Sequence, residues 1–476
     1  MKKIITIAAG LCLSSFLFAQ GGITEEMMSK IKQGYSGTME EKALMNAISH
    51  SDINTLALNL ENEGKMDTHF SNKVNTKGIT DQESSGRCWL FSGLNVLRAK
   101  TIAEHNLGDF HFSHNYISFY DQLEKSNLFL QGIIDTRTKD IRDRKVAWLF
   151  RHAIGDGGQF TGVQDLVEKY GLVPSNVMPE TNSSNNTKAF ASLMTKKLQE
   201  YGLELRRLAG SKDGFEAAPV LKRAKLSEME EKLEARKTEM LSFLYRFLVL
   251  NFGVPPTEFT WTCYNASGEA VSTKEYTPKS FYDEFVGKKL VDNYVLLMND
   301  PTREFYKTYE IDMDRHSYDG ENWIYINLPI QEIKDMAIAS IKDSTMMYFS
   351  CDVGKFLNRK KGFLDVNYYD YDDLMGEKFS MNKKERIITG ASGSSHAMTL
   401  MAVDLDENGV AKKWEVENSW GDYGFNGHLI MTDEWFNEYM FRLVVEKKYV
   451  PSKVLKLLDE KPTMLPPWDP MFKSEL

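Results

Sequence analysis

The feature that most constrains this chain is one cysteine, Cys88, placed between a polar, glycine-bearing turn and an amphipathic segment. Residues 82–87 have the sequence Gln-Glu-Ser-Ser-Gly-Arg, and apolar residues then recur every three to four positions from Leu90 to Ile102. This spacing predicts a helix over residues 90–104, with Cys88 at or just before its N-terminus. Because unpaired N–H groups and the helix dipole favour an anion there, we expect a lowered pKa for the Cys88 thiol.

The C-terminal part of the chain supplies a candidate base and a group to orient it. Strand-type apolar stretches begin at His396 and Trp414, and the Asp-Glu-Asn-Gly sequence between them is typical of a hairpin turn. On such a hairpin, the Asn418 side-chain oxygen can accept one imidazole N–H and fix the ring, and Trp420 can shield that bond from water. Gln82, close to the cysteine in sequence, can offer an amide N–H. A thiolate, a base and a fixed donor suffice for acyl transfer.

The order of these motifs resembles that of the papain-like cysteine peptidases: Gln six residues before Cys-Trp, then His-Ala, then Asn-Ser-Trp-Gly. Two departures narrow the resemblance. Arg87 stands where papain has a small residue, and His396 follows Cys88 by roughly 300 residues, against roughly 130–150 in papain-type chains. Both departures are typical of one branch, bleomycin hydrolase and bacterial aminopeptidase C. Further segments that look like this branch are 86–91, 166–174, 351–355, 431–436 and 467–471.

The resemblance implies an α+β, papain-like fold of two lobes, one helical and one β-barrel-like, with a large, mainly helical insertion. It implies catalytic roles for Cys88 as nucleophile, His396 as base, Asn418 as its partner and Gln82 as oxyanion donor. No metal and no organic cofactor is implied. The expected activity is that of a cysteine aminopeptidase, which releases N-terminal residues from peptides through a thioester on Cys88.

Four further site residues follow from the family rather than from local pattern. Papain-like enzymes bind the substrate backbone along a Gly-Gly pair, a role that passes here to Gly157 and Gly158; a tight turn with positive φ is the alternative. Trp420 is expected beside the substrate as well. In the family the C-terminal arm lies in the cleft, so Leu476 is expected to face the substrate's ammonium group, a disordered terminus being the alternative.

The chain is expected to divide into six segments, in which the long spacing between Cys88 and His396 is explained by the insertion. The predicted ranges are a signal peptide at 1–20, an N-terminal arm at 21–75, a helical catalytic lobe at 76–181, an inserted oligomerisation subdomain at 182–340, a β-rich catalytic lobe at 341–457 and a C-terminal tail at 458–476. The family resemblance implies a homohexameric ring with its sites facing an inner chamber.

The first 20 residues have the pattern of a secretory signal: Lys2 and Lys3, an apolar run over 4–18, and Ala19 as cleavage residue. The run is too short to span a membrane comfortably. It predicts export to the periplasm or the cell exterior, whereas a buried N-terminal helix would leave the protein in the cytoplasm. Export departs from the family, whose members are best known as cytoplasmic.

Composition limits the remaining alternatives. The net charge of −9 argues against a nucleic-acid surface, although a local basic channel stays possible. After removal of Cys12 three cysteines remain, so either Cys263 and Cys351 pair or both are reduced and buried, the second being favoured. Two rival functions stay open: an endopeptidase that uses the same site, and a non-catalytic ring scaffold or nucleic-acid-binding protein.

Overall fold

The computed structural model describes residues 21–62, 66–287, 290 and 293–471. Within them the α-helices are α1 (Glu25–Ile31), α2 (Met39–His50), α3 (Ile53–Leu56), α4 (Cys88–His105), α5 (His114–Asp135), α6 (Arg144–Arg151), α7 (Phe160–Tyr170), α8 (Asn182–Asn185), α9 (Lys188–Leu208), α10 (Arg223–Phe252), α11 (Pro278–Phe285), α12 (Ile330–Lys342), α13 (Tyr371–Met375), α14 (Lys383–Thr389), α15 (Asp433–Tyr439) and α16 (Ser452–Leu455).

The strands in the same ranges are β1 (Asn72–Lys73), β2 (Phe259–Tyr264), β3 (Ala270–Tyr276), β4 (Tyr294–Met298), β5 (Lys307–Ile311), β6 (Ile324–Asn327), β7 (Met347–Cys351), β8 (Leu357–Asn358), β9 (Phe363–Leu364), β10 (His396–Leu405), β11 (Ala411–Glu417), β12 (His428–Thr432), β13 (Met440–Glu446) and β14 (Thr463–Leu465). The predicted signal peptide and Leu476 lie outside the described residues.

The chain divides into two compact units. The smaller unit comprises residues up to 58 together with 370–377, and its helices α1 to α3 bury none of their residues. Each of these helices begins with a side-chain cap, from Thr24, Thr38 and Asp52 respectively, which satisfies N–H groups that a helix start leaves unpaired. The larger unit holds all the other described residues, including every candidate catalytic residue.

A large mixed sheet forms the centre of the larger unit, in the order β14-β5-β6-β4-β13-β7-β10-β11-β12-β9-β8, with β1 also paired to β10. The sheet continues across residue 340, the predicted end of the insertion, because β4, β5 and β6 pair in the same sheet as β7 and β13. That part of the predicted insertion is therefore built into the sheet that carries the β-rich lobe.

Strand β10 is buried on both faces, and the alternation of its side chains decides what each face contacts. Met398 and Leu400 pack in the core shared with α12, whereas Ala397 belongs to the core that contains α4. The long helices α9 and α10 join this second core through residues such as Leu198 and Leu244. The helical segment after residue 182 thus packs directly on the helices that surround Cys88.

Candidate active site

Cys88 is the first residue of α4, so the predicted helix and its start are confirmed, and the thiol is partly exposed. The helix begins where Arg87 adopts non-helical backbone angles and accepts hydrogen bonds from the N–H groups of Leu90 and Phe91. Its buried residues are mostly apolar but include Asn95, Arg98 and Thr101, and the helix ends at Asn106 in the left-handed conformation. The nucleophile therefore occupies the end of a rigid, buried helix.

Arg87, the residue that departs from the papain pattern, is itself buried and holds the turn before Cys88. Its Nε donates to Ser85 Oγ at 3.0 Å, and its Nη2 pairs with Glu180 Oε2 at 2.9 Å. The guanidinium also lies 5.2 Å from the centre of the Phe91 ring. A small residue here could make none of these contacts, so Arg87 stabilises the turn through its side-chain hydrogen bond and ion pair.

The base and its orienting group lie on the predicted hairpin. His396 opens β10, Asn418 follows β11, and the two strands pair antiparallel through a tight turn at 406–410. His396 Nε2 lies 2.8 Å from Asn418 Oδ1, and an amide oxygen only accepts, so Nε2 carries the proton and Nδ1 holds the lone pair. The Trp420 ring stacks on His396 at 4.6 Å between centroids.

Three contacts bring the helix and the hairpin together. Thr399 Oγ1 on β10 donates to the Ser92 carbonyl on α4 at 3.3 Å. Arg98 of α4 forms a buried ion pair with Glu417, the residue directly before Asn418. Finally, Cys351 lies opposite His396 in the sheet. The pKa of the Cys351 thiol is raised by burial, by Asp352 and, to a lesser extent, by the nearby Cys88. The helix that begins at Cys88 is therefore packed against the hairpin that carries His396 and Asn418.

Gln82 is tied to the hairpin from both its backbone and its side chain. Its N–H donates to the Ser419 carbonyl at 2.9 Å, and its Oε1 accepts from Ser419 Oγ at 2.7 Å. One hydrogen of Nε2 goes to the Ser85 carbonyl at 2.5 Å. An amide nitrogen carries two hydrogens, so Gln82 presents a fixed side chain with a second N–H to offer an oxyanion.

The electrostatics of His396 favour a neutral ring in the resting site. Burial lowers the pKa of His396 to about 4, and the bond to Asn418 opposes that shift without cancelling it. A neutral imidazole with its lone pair on Nδ1 can accept a proton from a thiol. The imidazolium form gains stability only when an anion such as a thiolate forms beside it. An ion pair between His396 and Cys88 therefore forms only when the Cys88 sulfur is charged.

Gly157 and Gly158 lie on the wall of a cavity of about 400 Å³ in the larger unit. Gly158 does not have the positive φ of a tight turn; it is glycine because a Cβ there would overlap the His316 ring and approach Trp89 Cε2 to 2.8 Å. The opposite wall includes Pro467 of the tail. The segment therefore presents backbone, with no side chain of its own, to an open space beside the nucleophile helix.

The tail is anchored as far as it is described. Strand β14 pairs in parallel with β5, the Trp468 ring lies 4.3 Å from the Arg144 guanidinium carbon, and Asp469 pairs with Arg303. Met471, the last described residue, is fully buried. Pro466, Pro467 and Pro470, which disfavour a helix, thus lie among these fixed contacts.

The structure brings together Cys88, Gln82, His396, Asn418 and Trp420, while contact of Trp420 with substrate remains a prediction. Cys263 and Cys351 are buried thiols, as favoured, and form no disulfide. Sequence reasoning missed Ser419, although it stands inside the Asn-Ser-Trp-Gly motif. It also missed Asp121, Lys125 and His316, which surround Gly158; no local signal could have found them, because they come from separate parts of the chain.

Across the described ranges, no cluster of three or more His, Cys, Asp or Glu side chains is placed to hold a metal ion. None of the helices in the described ranges combines the length and the apolar character that a membrane span needs.

Comparison with known proteins gives one consistent family. The model of the Peptidase C1-like family matches residues 22–472. Aminopeptidase C of Lactobacillus delbrueckii subsp. lactis is 35% identical over 432 residues, covering 90% of this chain and 92% of the relative. Bleomycin hydrolase of Mus musculus is 37% identical over 404 residues, covering 83% and 86%. The crystal structure of PepW from Lactobacillus rhamnosis HN001 aligns with a TM-score of 0.88 at 35% identity, covering 95% of this chain and 99% of PepW.

Proposed function

The chain belongs to the Peptidase C1-like family and is a cysteine aminopeptidase, and we propose that Cys88, His396, Asn418 and Gln82 perform its chemistry. The observation that carries this assignment is the 2.8 Å bond from His396 Nε2 to Asn418 Oδ1, which leaves Nδ1 as the basic nitrogen. A base oriented in this way, on a strand tied to the Cys88 helix, is the arrangement that thiol activation requires.

In the proposed reaction, His396 takes the Cys88 proton and the sulfur attacks the first peptide carbonyl. The oxyanion is stabilised by the Gln82 side chain and by the Cys88 backbone N–H at the start of α4. His396 then gives its proton to the leaving amine, and a thioester forms. Water, activated by His396, hydrolyses the thioester and releases the N-terminal residue. No metal or organic cofactor takes part in this scheme.

We further propose that the tail restricts the cleft to free N-termini. Support comes from the anchoring of residues 463–471, which fixes the tail up to Met471 and places Pro467 on the cavity wall. An extended tail ending in a carboxylate would block longer upstream peptide and pair with a substrate ammonium. Gly157 and Gly158 would bind extended backbone alongside, and Leu476 would carry the terminal charge.

The tail proposal is tested by deleting residues 472–476 and comparing a free peptide with its N-acetylated twin. We expect the full chain to cleave only the free peptide, and the deletion variant to cleave both. An endopeptidase would cleave the acetylated peptide before truncation as well. A non-catalytic scaffold would cleave neither peptide, whether or not a thiol alkylator is added.

The finer fold assignment and the assembly are also proposals. We propose the two-lobe papain-like arrangement, with residues 182–340 as an insertion that mediates self-association into a homohexamer. The packing of α9 and α10 on α5 leaves large apolar side chains such as Leu193, Phe243 and Leu250 exposed on these helices, as an association surface would require. Light scattering at micromolar concentration should report a hexamer; a monomer would contradict the chamber arrangement.

For localisation we propose export through cleavage near Ala19. N-terminal sequencing of the protein purified from its natural host should begin close to residue 20. An intact Met1 on the mature, cytoplasmic protein would contradict export.

A further inference from the structure

Side chains of α4 and α5 donate hydrogen bonds to the carbonyl groups of the glycine-rich segment at 155–157. Lys125 on α5 donates from Nζ to the Gly157 carbonyl at 2.6 Å and to the Gly155 carbonyl at 3.1 Å. The indole N–H of Trp89, the residue after the nucleophile, donates to the intervening Asp156 carbonyl at 2.6 Å. Three successive carbonyl groups are therefore committed to donors that lie on α4 and α5.

A single buried carboxylate fixes both side chains that flank Gly158. Asp121, one turn before Lys125 on α5, accepts from Lys125 Nζ on Oδ2 at 2.8 Å and from His316 Nδ1 on Oδ1 at 2.5 Å. With its proton on Nδ1, His316 uses Nε2 to accept the Gln159 backbone N–H at 3.3 Å. Asp121 thus sets the geometry on both sides of Gly158.

The neighbouring charges keep Asp121 ionised and the His316 ring neutral. Burial alone would raise the pKa of Asp121, but Lys125 and His316 together lower it, so the carboxylate stays ionised. Burial and Lys125 lower the pKa of His316, which keeps Nε2 available as an acceptor, while Asp121 opposes that shift. The Trp89 ring lies 4.4 Å from the His316 ring between centroids and 5.3 Å from Lys125 Nζ.

This network leaves the backbone N–H and C=O of Gly158 available for a ligand. Among the described residues no hydrogen bond uses its N–H or its C=O, whereas the polar groups on either side of it are occupied. A side chain at this position would overlap His316. One backbone N–H and one C=O, held at a fixed place beside the nucleophile helix, are what an extended peptide needs to pair with one of its residues.

We propose that Lys125, Asp121 and His316 are positioning residues that hold Gly158 in register with Cys88, so that its N–H and C=O pair with the substrate backbone. This inference rests on the proposed peptidase function. His316 belongs to the region predicted as an oligomerisation insertion. Through this residue the insertion would also help to shape the substrate cleft. The network touches the binding segment and not the reacting atoms, so its loss should weaken peptide binding more than bond cleavage.

The kinetic test uses the full-length protein and the variants Lys125→Met and Asp121→Asn. For a free peptide we expect KM to rise about 10-fold while kcat changes less than about 3-fold, the signature of lost uniform binding. Alkylation of Cys88 by iodoacetamide, which needs no peptide register, should keep its rate. Lys125→Arg retains charge and donors and should recover most of the loss.

The matched control is Lys237→Met, which removes a buried lysine that contacts α5 through Gln131 Oε1 at 2.8 Å, six residues after Lys125 along that helix. It should leave KM unchanged. A fall in kcat with KM unchanged in Lys125→Met, or an equal KM rise in Lys237→Met, would overturn the positioning role.

Hydrogen exchange keeps the inference testable apart from activity. The amide of Gln159 and its neighbours should exchange at least 10-fold faster in Lys125→Met and Asp121→Asn, with β10 and β11 unaffected. Unchanged exchange at 155–160 would overturn the inference even in an active enzyme. If the wild-type protein cleaves no peptide, the proposed function fails, and the exchange pattern alone then decides whether the network anchors this segment.

Discussion

The two sides of the active site are built differently. Cys88 is partly exposed at the end of a helix, and the turn around it is held by backbone groups and by Arg87. His396 and Asn418 are almost fully buried on strands, joined by one side-chain hydrogen bond under Trp420. The difference matches the two tasks: the nucleophile must be reached by substrate, whereas the base must be held in one tautomer and one orientation.

The comparison predicts that changes on the helix side act on the chemistry alone, whereas changes on the strand side also affect stability. A partly exposed thiol contributes little to packing. A buried polar group that loses its partner leaves an unsatisfied atom and costs about 1–3 kcal/mol.

The largest effect is expected for Cys88→Ala, which removes the atom that bonds to the substrate. Turnover should fall by roughly 10⁶-fold, as for other proteases that lose their nucleophile. The midpoint of urea unfolding should stay within experimental error, because the side chain is partly exposed. Cys263→Ala and Cys351→Ala serve as controls and should each keep activity. Wild-type turnover in Cys88→Ala would refute the mechanism.

Gln82→Ala should come next, since it removes one oxyanion donor. Loss of such a donor lowers kcat by about 10²–10³-fold, or roughly 2.7–4 kcal/mol. Ser419→Ala, which leaves Gln82 in place but removes the hydroxyl that holds its Oε1, should show a smaller loss in the same direction. An unchanged kcat in Gln82→Ala, measured with saturating peptide, would remove Gln82 from the oxyanion site.

Asn418→Ala tests the strand side. We expect a milder loss in kcat than for Gln82→Ala, because the stacked Trp420 ring still restrains His396. Stability should fall by about 1–3 kcal/mol, since the proton on His396 Nε2 loses its buried acceptor. Equal losses of stability in Asn418→Ala and Cys88→Ala, both measured by urea unfolding, would refute the contrast between the two sides.

How far the sequence could predict the site depends on how local each contact is. The helix at Cys88 and the hairpin carrying His396 and Asn418 follow from periodicity and turn residues within short windows, and both are confirmed. Ser419 lay inside a recognised motif, so its role could have been proposed.

The Asp121–His316 contact could not be predicted in the same way, because nearly 200 residues separate its partners and each is unremarkable among its neighbours. Strand pairings across residue 340 have the same limit: the pairing of β4 with β13 joins strands far apart in sequence. Short strands inside a helix-rich range carry too weak a pattern to reveal their place in a sheet.

The last prediction concerns the pH dependence of stability and a residue outside the catalytic group, Lys383. Lys383 on α14 is buried, and the hydrogen bonds of its Nζ to described residues go to neutral acceptors, including Asn299 Oδ1 at 2.7 Å and the Met440 carbonyl at 2.6 Å. Burial lowers the pKa of Lys383 from its ordinary 10.5 to about 7, with Glu438 opposing the shift. Between these values the unfolded chain binds more protons than the folded chain, so stability should increase with pH, by at most about 1.4 kcal/mol per pH unit. Below about pH 7 Lys383 is protonated in both states, so it adds no further pH dependence to the free energy of unfolding.

Lys383→Met should therefore flatten the rise in unfolding free energy between about pH 7 and 9.5, relative to wild type, without changing the pH profile of kcat. Parallel stability curves for the two proteins would show that the lysine titrates alike in both states.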